Sequence, residues 1–253
     1  MNPLHALSRG ICDLLVGYAP QAFIDSLRKC NYEMAIRELN KAYLFDWSHV
    51  SLSEHPECFD DLLSMFQLSP MGRGIIRQDF DEAAALFRAV RRLSDEGEAR
   101  GVEIGRFSGG STLLLAVAVG EKGRLISIDI EPQDDATLEE VLKKTHMNSR
   151  VELVVADANT VKCQEKLDFI FIDGDHSYEG AKRDHNLWGG RVKKGGLIVH
   201  HDMASSRQYS TQWHDLARLR GDILEKQNSQ IKLIEEAGSM SIFEKISDTW
   251  VEI

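Results

Sequence analysis

The chain has 253 residues, of which 43% are hydrophobic and 28% charged, a composition typical of a globular protein with a full core. Its formal net charge of −10 argues against nucleic-acid binding, which depends on Lys and Arg contacts to phosphate, and against an anionic membrane surface. We predict no membrane span and no signal peptide, and we expect the four scattered cysteines to be reduced thiols in a cytoplasmic protein.

The first 73 residues are predicted to form a helical extension or cap that precedes a larger domain at residues 74–253. An apolar stripe at helical spacing, which favours core packing over a cofactor site, runs through Phe23, Leu27, Cys30 and Met34. A further amphipathic helix is predicted from Asp81 to Leu93. We expect the extension to cover part of the functional site and to govern what binds there.

A glycine-rich stretch at residues 102–112 organises the second part of the chain. It reads Val-Glu-Ile-Gly-Arg-Phe-Ser-Gly-Gly-Ser-Thr, with a short strand predicted to end at Ile104 and a buried helix predicted at residues 113–119. A ligand can approach the backbone closely at its three glycines, which are Gly105, Gly109 and Gly110. Because a helix N-terminus favours anions, the stretch indicates a nucleotide-like ligand at the edge of a parallel sheet.

The rest of the chain alternates between predicted strands and helices. This order is typical of a doubly wound α/β fold with a mainly parallel sheet. The strands are predicted at residues 124–130, 151–156, 167–172 and 197–199, the helices at 134–144, 177–188 and 213–227, and a closing pair of strands at 231–236 and 239–246. A turn at Gly195-Gly196 is predicted to lead into the strand at 197–199.

Acidic residues lie at the carboxyl ends of four successive predicted strands. They are Asp129, Asp157, Asp173 and Asp202, the last of which follows His201 directly. Because the carboxyl ends of parallel strands meet at one edge of a sheet, we expect these side chains to form a site beside the glycine-rich turn. Asp129 is placed to accept hydrogen bonds from ribose hydroxyls, and Asp157 from an adenine amino group.

Four motifs resemble those of class I S-adenosylmethionine-dependent methyltransferases. They are Glu-Ile-Gly-Arg-Phe-Ser-Gly-Gly-Ser, Ile-Ser-Ile-Asp-Ile-Glu-Pro, Phe-Ile-Asp-Gly-Asp-His-Ser-Tyr and Gly-Gly-Leu-Ile-Val-His-His-Asp. Within that superfamily the chain, from Gly74 to Ile246, is similar to the catechol and caffeoyl-CoA O-methyltransferases and to relatives that modify sugars and antibiotics. The resemblance implies a Rossmann-like sheet closed by an antiparallel hairpin.

The resemblance also implies roles for particular residues around S-adenosylmethionine. Glu103, Gly105 and Ser111 would hold the methionine part, Asp129 the ribose, and Asp157 and Ala158 the adenine. The positions that hold a metal in metal-dependent relatives are matched by Asp173, His201 and Asp202. A histidine replaces an aspartate there, which suits Mn²⁺ or another transition metal better than Mg²⁺.

His176 is the residue predicted to act as general base. It follows Asp173 by three residues, at an offset where catechol-type relatives carry a lysine, and its ordinary pKa suits proton transfer near neutral pH. The alternatives are that it caps the following helix or binds metal. Three neighbours receive other assignments. Asp175 is predicted to cap the helix, with a hydrogen-bond acceptor behind the site as the alternative, and His185 to be a surface residue rather than a ligand. His200 is expected to face away from His201, with packing near the cofactor as the alternative.

The predicted activity is transfer of a methyl group from S-adenosylmethionine to a hydroxyl of a small molecule, with a divalent metal such as Mg²⁺ or Mn²⁺ as a second cofactor. Two alternatives stay open: a non-catalytic S-adenosylmethionine-binding partner protein, and an NAD-dependent oxidoreductase that uses Tyr178 and Lys182. The expected partner is a hydroxylated small molecule, with neither nucleic acid nor membrane, and self-association into a homo-oligomer stays open.

Overall fold

A seven-stranded sheet forms the centre of the part of the chain that the structure describes. The computed structural model describes residues 47, 50–66, 75–203 and 211–253, with the backbone alone at 211–214. The strands are β1 Arg100–Ile104, β2 Arg124–Asp129, β3 Val151–Val155, β4 Leu167–Ile172, β5 Val192–His200, β6 Ile231–Ala237 and β7 Met240–Lys245. Their order across the sheet is β3-β2-β1-β4-β5-β7-β6. The first five pair in parallel, and β7 pairs antiparallel with both β5 and β6.

Helices cover both faces of this sheet. They are α1 Phe80–Glu96, α2 Gly110–Ala118, α3 Asp135–Lys144, α4 Tyr178–Gly189 and α5 Thr211–Lys226, with short 3₁₀ helices at Phe59–Phe66 and Ala158–Thr160. Among the described residues, no helix is long and apolar enough to cross a bilayer.

The alternation of side chains along the central strands divides the core in two. Phe169 and Phe171 of β4 pack in one apolar cluster with residues of α1, α2 and α3. Ile170 and Ile172 of the same strand pack in a second cluster with residues of α4 and α5. Successive residues of a strand face opposite sides, so both faces of this strand are apolar and buried, as expected for the middle of a parallel sheet.

The predicted fold class is confirmed, and the main difference concerns β5. The turn predicted at Gly195-Gly196 lies inside β5 as a bulge. Leu167 of β4 pairs with Val192, and Phe169 pairs with Leu197. One residue of β4 therefore lies opposite four residues of β5. Gly195, with a φ of 84°, supplies the left-handed conformation that this bulge uses.

The predicted N-terminal extension lies mostly outside the described residues, and so does its apolar stripe at residues 23–34. Its assignment as a separate cap therefore stays a prediction. The helix predicted from Asp81 to Leu93 is present as α1, and the closing pair of strands forms an antiparallel hairpin, as predicted.

His185 of α4 and His200 of β5 form a buried pair between the helix and the strand. The prediction that His185 lies at the surface is wrong: it is fully buried, with Nδ1 2.9 Å from His200 Nε2 and Nε2 2.7 Å from Gln227 Oε1. His200 faces away from His201, as predicted. Burial lowers the pKa of His185 to about 4, although the bond to Gln227 opposes it, and burial lowers the pKa of His200 well below its ordinary value.

This pair makes folding stability depend on pH. Unfolded histidines bind protons near pH 6.5, but folded His185 stays neutral until about pH 4 and the pKa of His200 is also lowered, so the free energy of unfolding falls as the pH drops below 6.5. For His185 alone we expect a loss of about 2 kcal/mol between pH 7 and pH 5. Urea unfolding should show a smaller loss in the double variant His185→Gln/His200→Gln. An equal loss in both proteins would contradict this assignment.

Candidate active site

Backbone hydrogen bonds extend the sheet beyond the strand ends and bring the predicted site residues to one edge. Gly105 N donates to Ile128 O at 2.8 Å, and Asp173 N donates to Ile104 O at 2.8 Å. His201 N donates to Ile172 O at 3.0 Å. The loops that follow β1, β4 and β5 therefore begin side by side, as expected for parallel strands.

Gly105 is required by the close approach of two of these loops. Its φ is 87°, and a Cβ at this position would lie 2.2 Å from the carbonyl oxygen of Asp173. Any side chain would therefore force the turn after β1 away from the loop after β4. The glycine-rich turn therefore packs directly on the backbone of Asp173.

Helix α2 begins directly after the turn. Gly109 is its N-cap residue, in the left-handed conformation, and Ser111 lies in the first turn of the helix. The first backbone N–H groups of a helix have no partner within that helix, and they carry partial positive charge. This end of α2 therefore suits a carboxylate or phosphate, as the sequence predicts.

Glu103 lies beneath this helix start and is fully buried. Its Oε1 accepts a hydrogen bond from Ser111 Oγ at 2.5 Å, and its Oε2 accepts from Thr112 Oγ1 at 2.5 Å and Ser127 Oγ at 2.6 Å. Burial raises the pKa of Glu103, and the three hydroxyl groups oppose that shift. This fully buried carboxylate therefore holds the start of α2 in place, and its predicted contact with the methionine part of the cofactor stays a prediction.

Asp129 shapes the opposite side of the turn. Its Oδ2 accepts from Phe107 N at 2.9 Å, and its Oδ1 accepts from Glu131 N at 3.1 Å. Two exposed apolar side chains flank it, Phe107 at 37% and Ile130 at 72%. A carboxylate between exposed apolar groups suits a nucleoside, whose ribose hydroxyls donate hydrogen bonds and whose base is flat and weakly polar.

Asp157 and Ala158 lie at the end of β3, next to Asp129. Asp157 is exposed, and its Oδ1 accepts from Asn159 N and Asn159 Nδ2, both at 2.9 Å. These hydrogen bonds lower the pKa of Asp157. Ala158 is 7% exposed. The predicted adenine contacts of both residues stay predictions.

A charged cluster forms where the loops after β4 and β5 meet. Asp173, His201 and Asp202 each offer one ligand atom, and these atoms lie within 4.8 Å of one another. His201 Nδ1 is 3.2 Å from Asp173 Oδ1 and 3.5 Å from Asp202 Oδ2. His176 Nε2 lies 3.4 Å from Asp173 Oδ1 and 3.9 Å from Asp202 Oδ2. Two carboxylate oxygens and an imidazole nitrogen at this spacing fit a divalent metal.

The charges of this cluster change the protonation of its members. Burial opposes ionisation of Asp173, but His201 and His176 outweigh it, so the pKa of this carboxyl lies well below its ordinary value. Burial also opposes protonation of His201, but Asp173, Asp202 and Glu82 outweigh it and raise the pKa of this histidine well above its ordinary value. The pKa of His176 is raised because Asp173 and Asp202 outweigh its burial.

Glu82 and Gln78 reach this cluster from the segment around the start of α1, and the sequence analysis missed both. Glu82 Oε2 is 3.1 Å from His201 Nε2, and Gln78 Nε2 donates to Asp173 Oδ2 at 3.0 Å. The buried Gln78 Oε1 has no partner among the residues that the structure describes. The pattern Asp79-x-x-Glu82 signals a helix start, but it does not indicate that the glutamate faces a site 119 residues further along the chain.

Arg106 was also missed, although it lies inside the glycine-rich turn. Its side chain is fully buried. Nε donates to Asp135 Oδ1 at 2.8 Å, and Nη1 donates to Ser127 O at 3.0 Å and to Val154 O at 2.9 Å. The guanidinium therefore joins the turn to β2, to β3 and to the start of α3, and it keeps this side of the candidate site in place.

Two assignments near His176 are settled by hydrogen bonds on α4. The prediction that Asp175 caps this helix is wrong, because Ser177 is the N-cap residue and its Oγ accepts from Gly180 N at 3.1 Å. Asp175 instead accepts from Ser177 N at 2.8 Å. The Tyr178 hydroxyl donates to Asp222 on α5, which argues against its use in hydride chemistry.

The sheet order and the glycine-rich turn define a Rossmann-like α/β domain, and its acidic strand ends resemble those of class I methyltransferases. Comparisons with known proteins agree. A family described as a methyltransferase domain matches residues 102–203. The chain is 33% identical over 120 residues to the uncharacterized protein R132 of Acanthamoeba polyphaga mimivirus, covering 42% of this chain and 52% of that protein. It is 27% identical over 151 residues to caffeoyl-CoA O-methyltransferase 2 of Populus trichocarpa, covering 56% and 58%.

Solved structures show the same fold. Cofactor-bound Rv0187 from MTB aligns with a TM-score of 0.56 and 18% identity, covering 67% of this chain and 82% of that one. The O-methyltransferase from Bacillus cereus in complex with SAH aligns with a TM-score of 0.51 and 16% identity, covering 72% and 83%. These similarities confirm the predicted resemblance to class I S-adenosylmethionine-dependent O-methyltransferases. The chain spans between half and three fifths of the length of the two curated relatives.

The buried position of Arg106 predicts a large effect on stability. In Arg106→Met, the carboxylate of Asp135 and two backbone carbonyls lose their donor, and we expect the free energy of unfolding to fall by about 3–5 kcal/mol in urea titrations. The matched control is Arg88→Met, because Arg88 pairs with Glu235 at the surface, where such pairs contribute about 0–1 kcal/mol. Equal losses in the two variants would contradict the structural role of Arg106.

Proposed function

We propose that the protein transfers the methyl group of S-adenosylmethionine to a hydroxyl oxygen of a small molecule. The observation that carries this proposal is the contact of the Gly105 turn with the backbone of Asp173. It puts a turn suited to a nucleoside cofactor directly beside a cluster of histidines and carboxylates that can move a proton. The relatedness to caffeoyl-CoA O-methyltransferases supports the choice of a hydroxyl acceptor.

The cofactor is proposed to lie along the glycine-rich turn. Asp129 would accept both ribose hydroxyls, Phe107 and Ile130 would flank the nucleoside, and Asp157 and Ala158 would contact the adenine. The start of α2, at Ser111, would face the cofactor carboxylate. S-adenosylmethionine supplies a methyl group bound to a positively charged sulfur, which is the electrophile of the reaction. The task of the protein is to align the acceptor oxygen with that methyl carbon.

His176 is proposed to accept the proton of the acceptor hydroxyl. Asp173 Oδ1 lies 3.4 Å from Nε2, so the carboxylate favours the tautomer with a proton on Nε2 and leaves the Nδ1 lone pair to act as base. The side chain of His176 is 30% exposed, which leaves room for an acceptor to reach it. Asp202, 3.9 Å from Nε2, stabilises the imidazolium that forms.

Asp173, His201 and Asp202 are proposed to hold a divalent metal. The convergence of their ligand atoms within 4.8 Å supports this assignment. A bound divalent cation lowers the pKa of a hydroxyl that coordinates it, which would ease proton removal. Asp173 would then serve two functions, since the carboxylate that helps hold the metal also orients His176.

Cofactor binding is the first test. In Asp129→Ala the ribose hydroxyls lose a charged acceptor and Phe107 N loses its partner, so we expect affinity for S-adenosylhomocysteine to fall roughly tenfold to a hundredfold in titration calorimetry. Glu131→Ala removes a neighbouring charge of the same sign and should leave affinity unchanged. Mass spectrometry of the purified protein should find S-adenosylmethionine or its demethylated product. A bound nicotinamide nucleotide would overturn the proposal.

The role of His176 predicts a specific pH dependence. The rate should fall on the acidic side of the profile as His176 gains a proton, because the base works only once it has lost its proton. Turnover of His176→Gln, with an acceptor found by screening catechols, sugars and polyketides, should fall by about 10²–10⁴. Affinity for S-adenosylhomocysteine should not change.

The control for this test is His146→Gln, since His146 is exposed and stacks on His55 away from the cluster. If His176→Gln keeps its turnover within a few-fold of wild type and retains the same acidic limb, another group removes the proton.

A further inference from the structure

The carboxylate of Glu82 joins three parts of the molecule, although it lies on a helix that precedes the glycine-rich turn. Its side chain is 1% exposed. Oε1 accepts from Ser239 N at 2.7 Å and from Ser239 Oγ at 2.8 Å, in the turn between β6 and β7. Oε2 accepts from Asp79 N at 2.7 Å and lies 3.1 Å from His201 Nε2. A glutamate at this helix position needs only the bond to Asp79 N to complete its cap.

The hairpin turn is shaped around this carboxylate. Gly238 has a φ of 56°, and a Cβ at this position would lie 2.4 Å from Glu82 Oε1. The turn thus packs directly on the carboxylate. Ser239 Oγ also lies 3.0 Å from Asp202 Oδ1, so one hydroxyl stands between Glu82 and a proposed metal ligand. The start of α1, the turn between β6 and β7, and the loop after β5 therefore all contact Glu82 and fix its orientation.

The contact with Glu82 determines how the His201 ring can be used. A carboxylate only accepts hydrogen bonds, so Nε2 must carry a proton and Nδ1 is the nitrogen that faces the cluster. There it lies 3.2 Å from Asp173 Oδ1 and 3.5 Å from Asp202 Oδ2. A neutral ring would point its Nδ1 lone pair at two carboxylates, which repel it. Positive charge is therefore required at Nδ1, either as a second proton or as a bound cation.

We propose that Glu82 is the positioning residue of a transition-metal site, in which it orients His201 so that Nδ1 binds the metal beside Asp173 and Asp202. This inference rests on the proposed function only because both assign Asp173, His201 and Asp202 as the metal ligands. A carboxylate that holds the far nitrogen of a ligand histidine fixes its tautomer and strengthens the metal bond. The resulting set of one imidazole nitrogen and two carboxylate oxygens favours Mn²⁺, Fe²⁺, Co²⁺ or Zn²⁺ over Mg²⁺.

The first experiment titrates the chelator-treated, full-length protein with Co²⁺, followed by calorimetry and by the visible absorption of the metal. We expect wild type to bind Co²⁺ more tightly than Mg²⁺, with an absorption spectrum that shows nitrogen coordination. Glu82→Gln should bind Co²⁺ about 10–100-fold more weakly. An amide nitrogen facing His201 Nε2 donates to it, which moves the ring proton to Nδ1 and blocks the ligand atom.

The matched control is Asp79→Ala. It removes the N-cap residue of α1 and weakens the same helix start, but it leaves the Glu82 carboxylate and its contact with His201 in place. Its Co²⁺ affinity should equal that of wild type. If folded Glu82→Gln binds Co²⁺ as tightly as wild type, or if Asp79→Ala loses as much affinity, Glu82 is a helix cap only and the proposal is wrong.

Glu82→Gln can impair folding, because its amide nitrogen would face either Asp79 N or Ser239 N, which are both donors. A second measurement therefore uses the wild-type protein. Long-range ¹H–¹⁵N spectra of the wild-type imidazoles report which nitrogen of His201 changes when Zn²⁺ is added. The proposal predicts that Nδ1 shifts while the Nε2 proton is retained. A shift at Nε2, or no change in the His201 ring, would overturn it.

Titration of the same samples with S-adenosylhomocysteine separates this inference from the proposed function. Intact cofactor binding without metal binding at His201 overturns the metal site and leaves methyl transfer standing. A protein that binds neither Co²⁺ nor S-adenosylhomocysteine overturns both.

Discussion

The candidate site depends on the close approach of the glycine-rich turn to the loop after β4. Gly105 lies against the carbonyl of Asp173, at a distance that leaves no space for a Cβ. Because Asp173 N also donates to Ile104 O, the two loops are joined on both sides of this contact. The distance between the turn and the charged cluster is therefore set by the backbone of the sheet. Side-chain rearrangements cannot change it much.

Buried charges at this edge are compensated in three different ways. Arg106 forms a two-point ion pair with Asp135, Glu103 accepts three hydroxyl hydrogen bonds, and the His201 ring lies among carboxylates. A buried ion without a partner would reduce the stability of the fold. The groups that compensate each charge are therefore held in fixed positions. The result is a site whose polar groups already have fixed orientations. Such preorganisation favours catalysis because little rearrangement is needed when a reacting group binds.

The sequence predicts the sheet, its closing hairpin and the placement of Asp129 and Asp173, because strand periodicity and parallel pairing determine where each strand ends. It does not predict Glu82 or Arg106, whose roles depend on partners brought close only by folding. Glu82 contacts a turn 157 residues away, and local pattern shows it only as part of an amphipathic helix. His185 was placed at the surface by residue type alone, because helical position does not reveal that α5 covers this face of α4.

The two sides of the glycine-rich turn differ in how open they are. On the Asp129 side, Ile130 is 72% exposed and Phe107 is 37% exposed, whereas the His201 side chain is only 9% exposed. The proposed nucleoside would therefore bind on the exposed side of the turn, away from the charged cluster. Water has limited access to the cluster itself, where lower polarity strengthens the interaction of carboxylates with a proton or a cation. Under the proposed function, the same turn would separate the binding of the cofactor on its exposed side from proton transfer on its more enclosed side.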